Sequence, residues 1–252
     1  MPVVAVTNQK GGVGKTTITF NLAKGLAAKG YRVLAVDNDP QGNLTGALLE
    51  NPSALTANLL RFYEGDMTVK PQRIKDNLDL LGSDIHLAKV ADMEFDVVFR
   101  LAEGLDVIAP NYDIALVDCL PSFGYLNMAA LLAAKWLLIP TKPSPFALAG
   151  MKDLFDTIAK VRRPRLNPNL EVFGIFLNLV EPTTISRELE ATLREQYGDK
   201  VFRTVLSKGV KVEESPSFNQ SIMEYDPQGK AAGQFRDFLV EFINRLSLYK
   251  PS

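Results

Sequence analysis

The chain has 252 residues, 46% hydrophobic and 23% charged, which excludes a disordered or fibrous protein and fits a soluble globular one. A formal net charge of −1 excludes a global electrostatic pull on DNA or membrane, so any polyanion must be met by a local patch, doubled if the protein dimerises. The single cysteine, Cys119, excludes an intrachain disulfide and a CxxC metal site, and a lone thiol fits a reducing cytosol.

From the start, Met1–Asn8 is a short β-branched stretch, with no export signal visible. The chain order then predicts strand Val3–Thr7, helix Lys15–Lys29 closed by Gly30 at its C′ position, and strand Arg32–Asp37. Leu49–Lys75 is less periodic and holds Pro52 and Pro71, which predicts a small helical excursion. Strands Leu78–Leu81 and Ile114–Asp118 follow, then helix Asn127–Ala134, strand Trp136–Thr141 and helix Leu148–Lys160. After a turn at Pro164 and Pro168 come strand Val172–Leu177, helix Thr184–Tyr197, strand Val201–Val205 and helix Ala231–Leu246. Apolar runs alternating with amphipathic stretches predict an α/β fold: a mostly parallel twisted sheet of about seven or eight strands, helices on both faces, in one domain over residues 1–252. Met128–Pro140 is broken by Lys135, and no run reaches the ~18 apolar residues that span a bilayer. A soluble, cytoplasmic protein is expected.

Lys10-Gly11-Gly12-Val13-Gly14-Lys15-Thr16-Thr17 joins the first strand to the first helix. A phosphate chain needs backbone N–H groups converging on one concavity, and Gly11, Gly12 and Gly14 let the chain wrap without Cβ clashes. The helix then aims its positive end at the anion. Lys15 would reach the β- and γ-phosphates of a nucleotide, the Thr16 hydroxyl would hold Mg²⁺, and Thr17 would donate to the α-phosphate. The loop departs from G-x-x-x-x-G-K-[ST]: Gln9 takes the first glycine's place and a second lysine, Lys10, stands beside it. Such a cation can serve its own nucleotide or reach across a dimer to a partner's phosphates, neutralising developing charge as an arginine finger does.

Two carboxylate stations follow. Asp37-Asn38-Asp39-Pro40-Gln41-Gly42-Asn43 sits at the end of the second strand, where open α/β sheets bind ligands. One of its carboxylates can orient the attacking water and a second can hold the Mg²⁺ shell. Leu116-Val117-Asp118 ends a later apolar strand, the arrangement of a Walker B acid.

With these motifs in this order the chain resembles the deviant Walker A ATPases, most closely the ParA/Soj partition group. The likeness extends to Tyr112-Asp113 before VDCLPSFG, to Ile139-Pro140 followed by Phe146-Ala147-Leu148, to VFRTV at 201–205, and to Glu214-Ser215-Pro216-Ser217 and Glu224-Tyr225-Asp226-Pro227. It implies a P-loop NTPase fold and ATP hydrolysis with Mg²⁺. It makes Lys10 the lysine acting across an ATP-sandwich homodimer, assigns Asp39 to the attacking water, and places Thr16, Asp39 and Asp118 around the metal. Asn178 is implied as an adenine contact. The family binds DNA non-specifically as ATP dimers on the nucleoid; basal hydrolysis is expected to be slow, and a ParB-like or other adaptor on a plasmid, chromosome or carboxysome stimulates it and so triggers release. Two departures stand out: Leu120 where the family often has proline, and Leu206-Ser207-Lys208-Gly209 where it commonly has I-P-R-N.

Between Lys160 and Lys211 ten basic residues stand against six acidic ones, the best candidate for a phosphate-tracking face. Arg187, Arg203, Lys208 and Lys211 are its leading members, while the Arg162–Arg165 cluster is read as a helix C-terminal cap. The alternative is a membrane-cycling ATPase of the MinD type, using Phe235, Phe238, Leu239, Phe242, Ile243 and Leu246 as an amphipathic face; Asp237 and Glu241 on its polar side argue for core packing instead. A shared four-cysteine cluster needs two cysteines from each of two partners, and this chain has one. His86 reads as a loop residue, Trp136 as core, and Cys119 as a small buried side chain.

Overall fold

Strands that are apolar throughout need cover on both faces. The computed structural model, which describes residues 1–122, 124–145 and 147–248, provides it with one central sheet between helical layers. The strands are β1 (Val3–Val6), β2 (Val33–Asn38), β3 (Gln72–Lys75), β4 (Leu78–Leu81), β5 (Ile114–Cys119), β6 (Trp136–Thr141), β7 (Glu171–Val180) and β8 (Val201–Ser207). They lie in the order β3-β4-β2-β5-β1-β6-β7-β8, and every pairing is parallel except β3 with β4. The helices are α1 (Lys15–Ala28), α2 (Asn43–Leu48), α3 (Leu60–Tyr63), α4 (Arg100–Ile108), α5 (Tyr125–Ala133), α6 (Ala147–Val161), α7 (Thr184–Tyr197), α8 (Val210–Glu214), α9 (Ile222–Tyr225) and α10 (Lys230–Leu248).

Alternation along β1 divides the core. Val3 and Ala5 join the layer built with α4, α5 and α6, while Val4 and Val6 join the layer built with α1 and α10. In the second layer Phe235, Phe238, Leu239, Phe242 and Leu246 of α10 are buried. Phe238 stacks on Phe176 with ring centroids 3.8 Å apart and meets Phe202 edge-on. Burying each such ring contributes about 1.5–3 kcal/mol. The amphipathic face of the C-terminal helix is therefore core, as its charge pattern predicts.

The segment 49–75, expected as a helical excursion, holds a 3₁₀ turn (Pro52–Ala54) and α3 but ends in a strand, β3. Its sequence, QRIK, alternates half-buried and exposed positions because β3 is an antiparallel edge with one wet face. A search for continuous apolar runs passes over such a strand, and its charged Arg73 and Lys75 protect an open edge. The opposite edge, β8, is closed by side chains. Glu241 accepts from the Arg203 and Thr204 N–H groups, Gln234 from that of Ser207, and Arg194 and Arg245 donate to carbonyls of residues 200–203.

Candidate active site

The parallel strands put their C-terminal ends on one rim, and β1, flanked by β5 and β6, marks the point where the strand order reverses. Ligands bind open α/β sheets at this place. The loop from β1 to α1 crosses it. α1 has no side-chain cap and no acidic residue in its first turn, so its first N–H groups and positive end face outward from the Gly11–Gly14 loop. Gly12 and Gly14 have φ of +69° and +87°, a conformation that costs other residues energy. At Gly14 space is also lacking, since a Cβ would lie 2.2 Å from Asn178 Nδ2.

Asn178, at the end of β7, donates that Nδ2 to the Val13 carbonyl at 2.8 Å. Its Oδ1 is buried without a hydrogen-bond partner, leaving one acceptor free beside the loop. Thr16 Oγ1 donates to Asp118 Oδ2 at 2.6 Å. Lys15 is buried, and its Nζ donates to the Lys10 carbonyl at 3.3 Å; Thr17, half-buried, is on the same first turn. Lys10 itself is exposed, and its Nζ donates to Ser144 Oγ on the loop after β6 at 2.9 Å.

The sequence leaves open which acid of the second station is chemically available. The structure separates them. Asp37 is fully buried, and its Oδ2 accepts from both the N–H and the hydroxyl of Thr45, each at 2.7 Å. Asp37 thus braces the turn from β2 to α2. Asp39 is partly exposed, its Oδ1 accepts from the Gln41 N–H, and its carbonyl is held by Ser83. Asp39 is the carboxylate that water can reach.

Asp37 and Asp118 are direct partners across the β2–β5 ladder. Burial, then the nearby Asp37 charge, raises Asp118 to about 8, against the opposing hydrogen bond from Thr16 and the Lys15 charge. Burial also raises Asp37 to about 6, with the Thr45 bonds opposing. Lys15 is lowered by burial and supported by Asp118. One ammonium among three acids leaves the site short of positive charge, which a divalent cation held there would supply. Among the described residues no three His, Cys, Asp or Glu side chains could hold a metal ion together. The oxygen donors Thr16, Asp118 and Asp39 are of the kind Mg²⁺ takes beside waters and phosphate oxygens.

The expected basic face is spread over β8 and its neighbours. Lys208 pairs with Glu181 and Lys211 with Asp226. Arg187 on α7 and Arg203 on β8 are exposed. Phe123 and Phe146, which belong to the motifs flanking Asp118 and Pro140, lie outside the described residues. Sequence reasoning missed Thr45, Ser83 and Ser144, which hold Asp37, Asp39 and Lys10; none carries a motif, and only the folded chain brings them to the site. A cavity of about 640 Å³ lies at the opposite end of the sheet, lined by Met1, Tyr31, Lys135 and Trp136; it contains none of this chemistry.

The AAA domain family (AAA_31) matches residues 1–172. The chain is 36% identical to the chromosome-partitioning ATPase Soj of Thermus thermophilus, covering 96% of each protein. It is 35% identical to the chromosome partitioning protein ParA of Caulobacter vibrioides, covering 96% of this chain and 94% of that one. In fold it is similar to cobyrinic acid a,c-diamide synthase of Mycobacterium smegmatis with bound ATP analog and magnesium, at a TM-score of 0.79 and 28% identity over 99% and 97% of the two chains. Its phosphate loop, its paired acids and these likenesses together place the chain in the AAA domain family, among the ParA/Soj-type partition ATPases that hydrolyse ATP.

Proposed function

We propose that the chain is an ATP-switched positioning enzyme in which ATP with Mg²⁺ drives formation of a homodimer, the dimer binds DNA non-specifically, and an adaptor on a cargo stimulates hydrolysis and release. The observation that carries this reading is the placement of Lys10. Its carbonyl receives the Lys15 ammonium while its own ammonium stands exposed at the rim, against Ser144. A cation so placed is available to a nucleotide held by a second copy.

The residues take distinct parts. The loop Gly11–Thr17 and Lys15 bind the phosphates; Asn178 holds the loop, and in this reading its Oδ1, buried without a partner, is the acceptor offered to the adenine. Thr16 and Asp118, with Asp39 nearby, would hold Mg²⁺, which when bound neutralises phosphate charge. Asp39 orients the attacking water toward the γ-phosphorus. Lys10 and Lys15 offset charge on the phosphoryl oxygens as the bond to the leaving ADP breaks.

For DNA, Arg187 and Arg203 are exposed and make no ion pair among the described residues, whereas Lys208 and Lys211 would have to exchange Glu181 and Asp226 for phosphates. A membrane-cycling role finds less support. The apolar face of α10 lies against Phe173, Phe176 and Phe202, so it is not available to a membrane surface. Burial pushes the thiol of Cys119 well up, away from its nucleophilic form, in keeping with a small buried side chain.

The test is binding to a 50-base-pair duplex of arbitrary sequence, with ATP, with ADP and without nucleotide, over a salt series. Binding that requires ATP and falls steeply with salt is expected. Equal binding in all three nucleotide states would overturn the proposal.

A further inference from the structure

Asn38 is, beside Asp37, one of two polar residues that end the otherwise apolar strand β2. It is the last residue of β2, fully buried, between Asp37 and Asp39. Strand alternation sends its side chain to the face opposite that of Asp37. There its Nδ2 donates to the Leu126 carbonyl at 2.8 Å, and its Oδ1 accepts from the Tyr63 hydroxyl at 2.7 Å. Leu126 is in the first turn of α5, the helix that begins after the Asp118 loop. One carboxamide therefore ties the strand end that carries Asp39 to the element that follows Asp118.

Tyr63 is itself buried, on α3. α3 is seated firmly, since Phe62 lies so close to Gly104 of α4 that a Cβ there would be 2.3 Å from its ring. A buried acceptor deprived of its partner is driven to find another, so the Tyr63 hydroxyl decides where the Asn38 carboxamide stays.

We infer that Tyr63 is a positioning residue for hydrolysis: its hydroxyl, acting through Asn38, fixes the Asp39-bearing strand end against the first turn of α5. This rests on the reading of Asp39 as the residue that orients the attacking water. Nucleotide binding is largely independent of the tie, because the phosphate loop and Thr16 belong to β1 and α1. The tie serves geometry at the reacting phosphorus, where small displacements are costly in rate.

The experiment measures steady-state ATP hydrolysis by the full chain as wild type, Tyr63→Phe, Asn38→Leu, the double variant and Asp39→Ala. Tyr63→Phe is expected to lower kcat about tenfold with the KM for ATP within about twofold of wild type. The double variant should be no slower than Asn38→Leu, since both changes cut the same tie. An unchanged kcat for Tyr63→Phe, a KM that rises in step with the loss, or additive effects in the double variant would each overturn the inference. Should Tyr63→Phe fail to fold, the double variant, with both polar ends removed, carries the test against Asn38→Leu. If Asp39→Ala hydrolyses ATP normally, the reading of Asp39 fails; if it is slow while Tyr63→Phe is normal, only the inference fails.

Discussion

The hydroxyl of Thr16 donates to Asp118 Oδ2 at 2.6 Å, joining the first turn of α1 to the end of β5. Across the ladder Asp118 faces Asp37, so the bond secures a carboxylate that burial and a like charge both disfavour. Removing that charge should help the empty protein and harm the loaded one. Asp118→Asn is expected to leave the thermal midpoint without nucleotide equal to or above wild type. The added stability from ATP and Mg²⁺, about 2.7 kcal/mol at a hundred times Kd, should shrink as affinity falls. A thermal-shift titration with and without Mg²⁺ checks both halves.

Glu241 closes the β8 edge by accepting from two consecutive N–H groups, Arg203 at 2.9 Å and Thr204 at 3.0 Å, while pairing with Arg245. Glu241→Ala leaves those donors without a partner, and a loss of about 2–3 kcal/mol is expected from denaturant unfolding. Light scattering should also show more self-association, because the freed edge can pair with another strand. Glu241→Gln, which keeps acceptor capacity, should lose less.

Glu224 gives a pH signature. Burial alone would raise its pKa, but hydrogen bonds from Lys24 and Ser221 outweigh it and hold the carboxylate at about 2. The folded value lies below the unfolded one, so the contribution is present above about pH 4.3 and is lost as pH falls toward 2. Discounted for a side chain 37% exposed, it amounts to about 1 kcal/mol. Glu224→Gln should flatten the stability profile across that window, measured by urea unfolding at several pH values. An unchanged slope in the variant would remove Glu224 from the account.

The fold was legible in the sequence wherever one physical rule acted alone. β4 and β6 have the expected ends because they are short, mainly apolar runs in a mostly parallel sheet, and α7 is bounded as its amphipathic pattern requires. Rules in conflict concealed the rest. α4 carries Leu101, Leu105 and Ile108 at helical spacing, yet Gly104 in its middle discounts a helix; the glycine is there because Phe62 lies over it. The phosphate loop was readable as a local motif with a local mechanism. The division of labour between Asp37 and Asp39, implied by the resemblance, was not readable from the residues alone, because it depends on Thr45 hydrogen-bonding to Asp37 across the β2–α2 turn. The Asn38–Tyr63 tie was hidden for the same reason, since its partners meet only after α3 packs.

The proposed dimer turns on Lys10, and the most direct measurement is the solution mass of the full chain with ATP and Mg²⁺, taken alongside hydrolysis. Wild type should form a dimer with ATP and return to monomer with ADP. Asp39→Ala should remain an ATP dimer, retained on DNA, because the attacking water is no longer oriented. Lys10→Ala should bind ATP through Lys15 yet form little dimer or hydrolyse little. A Lys10→Ala protein that dimerises and turns over like wild type would contradict the central claim.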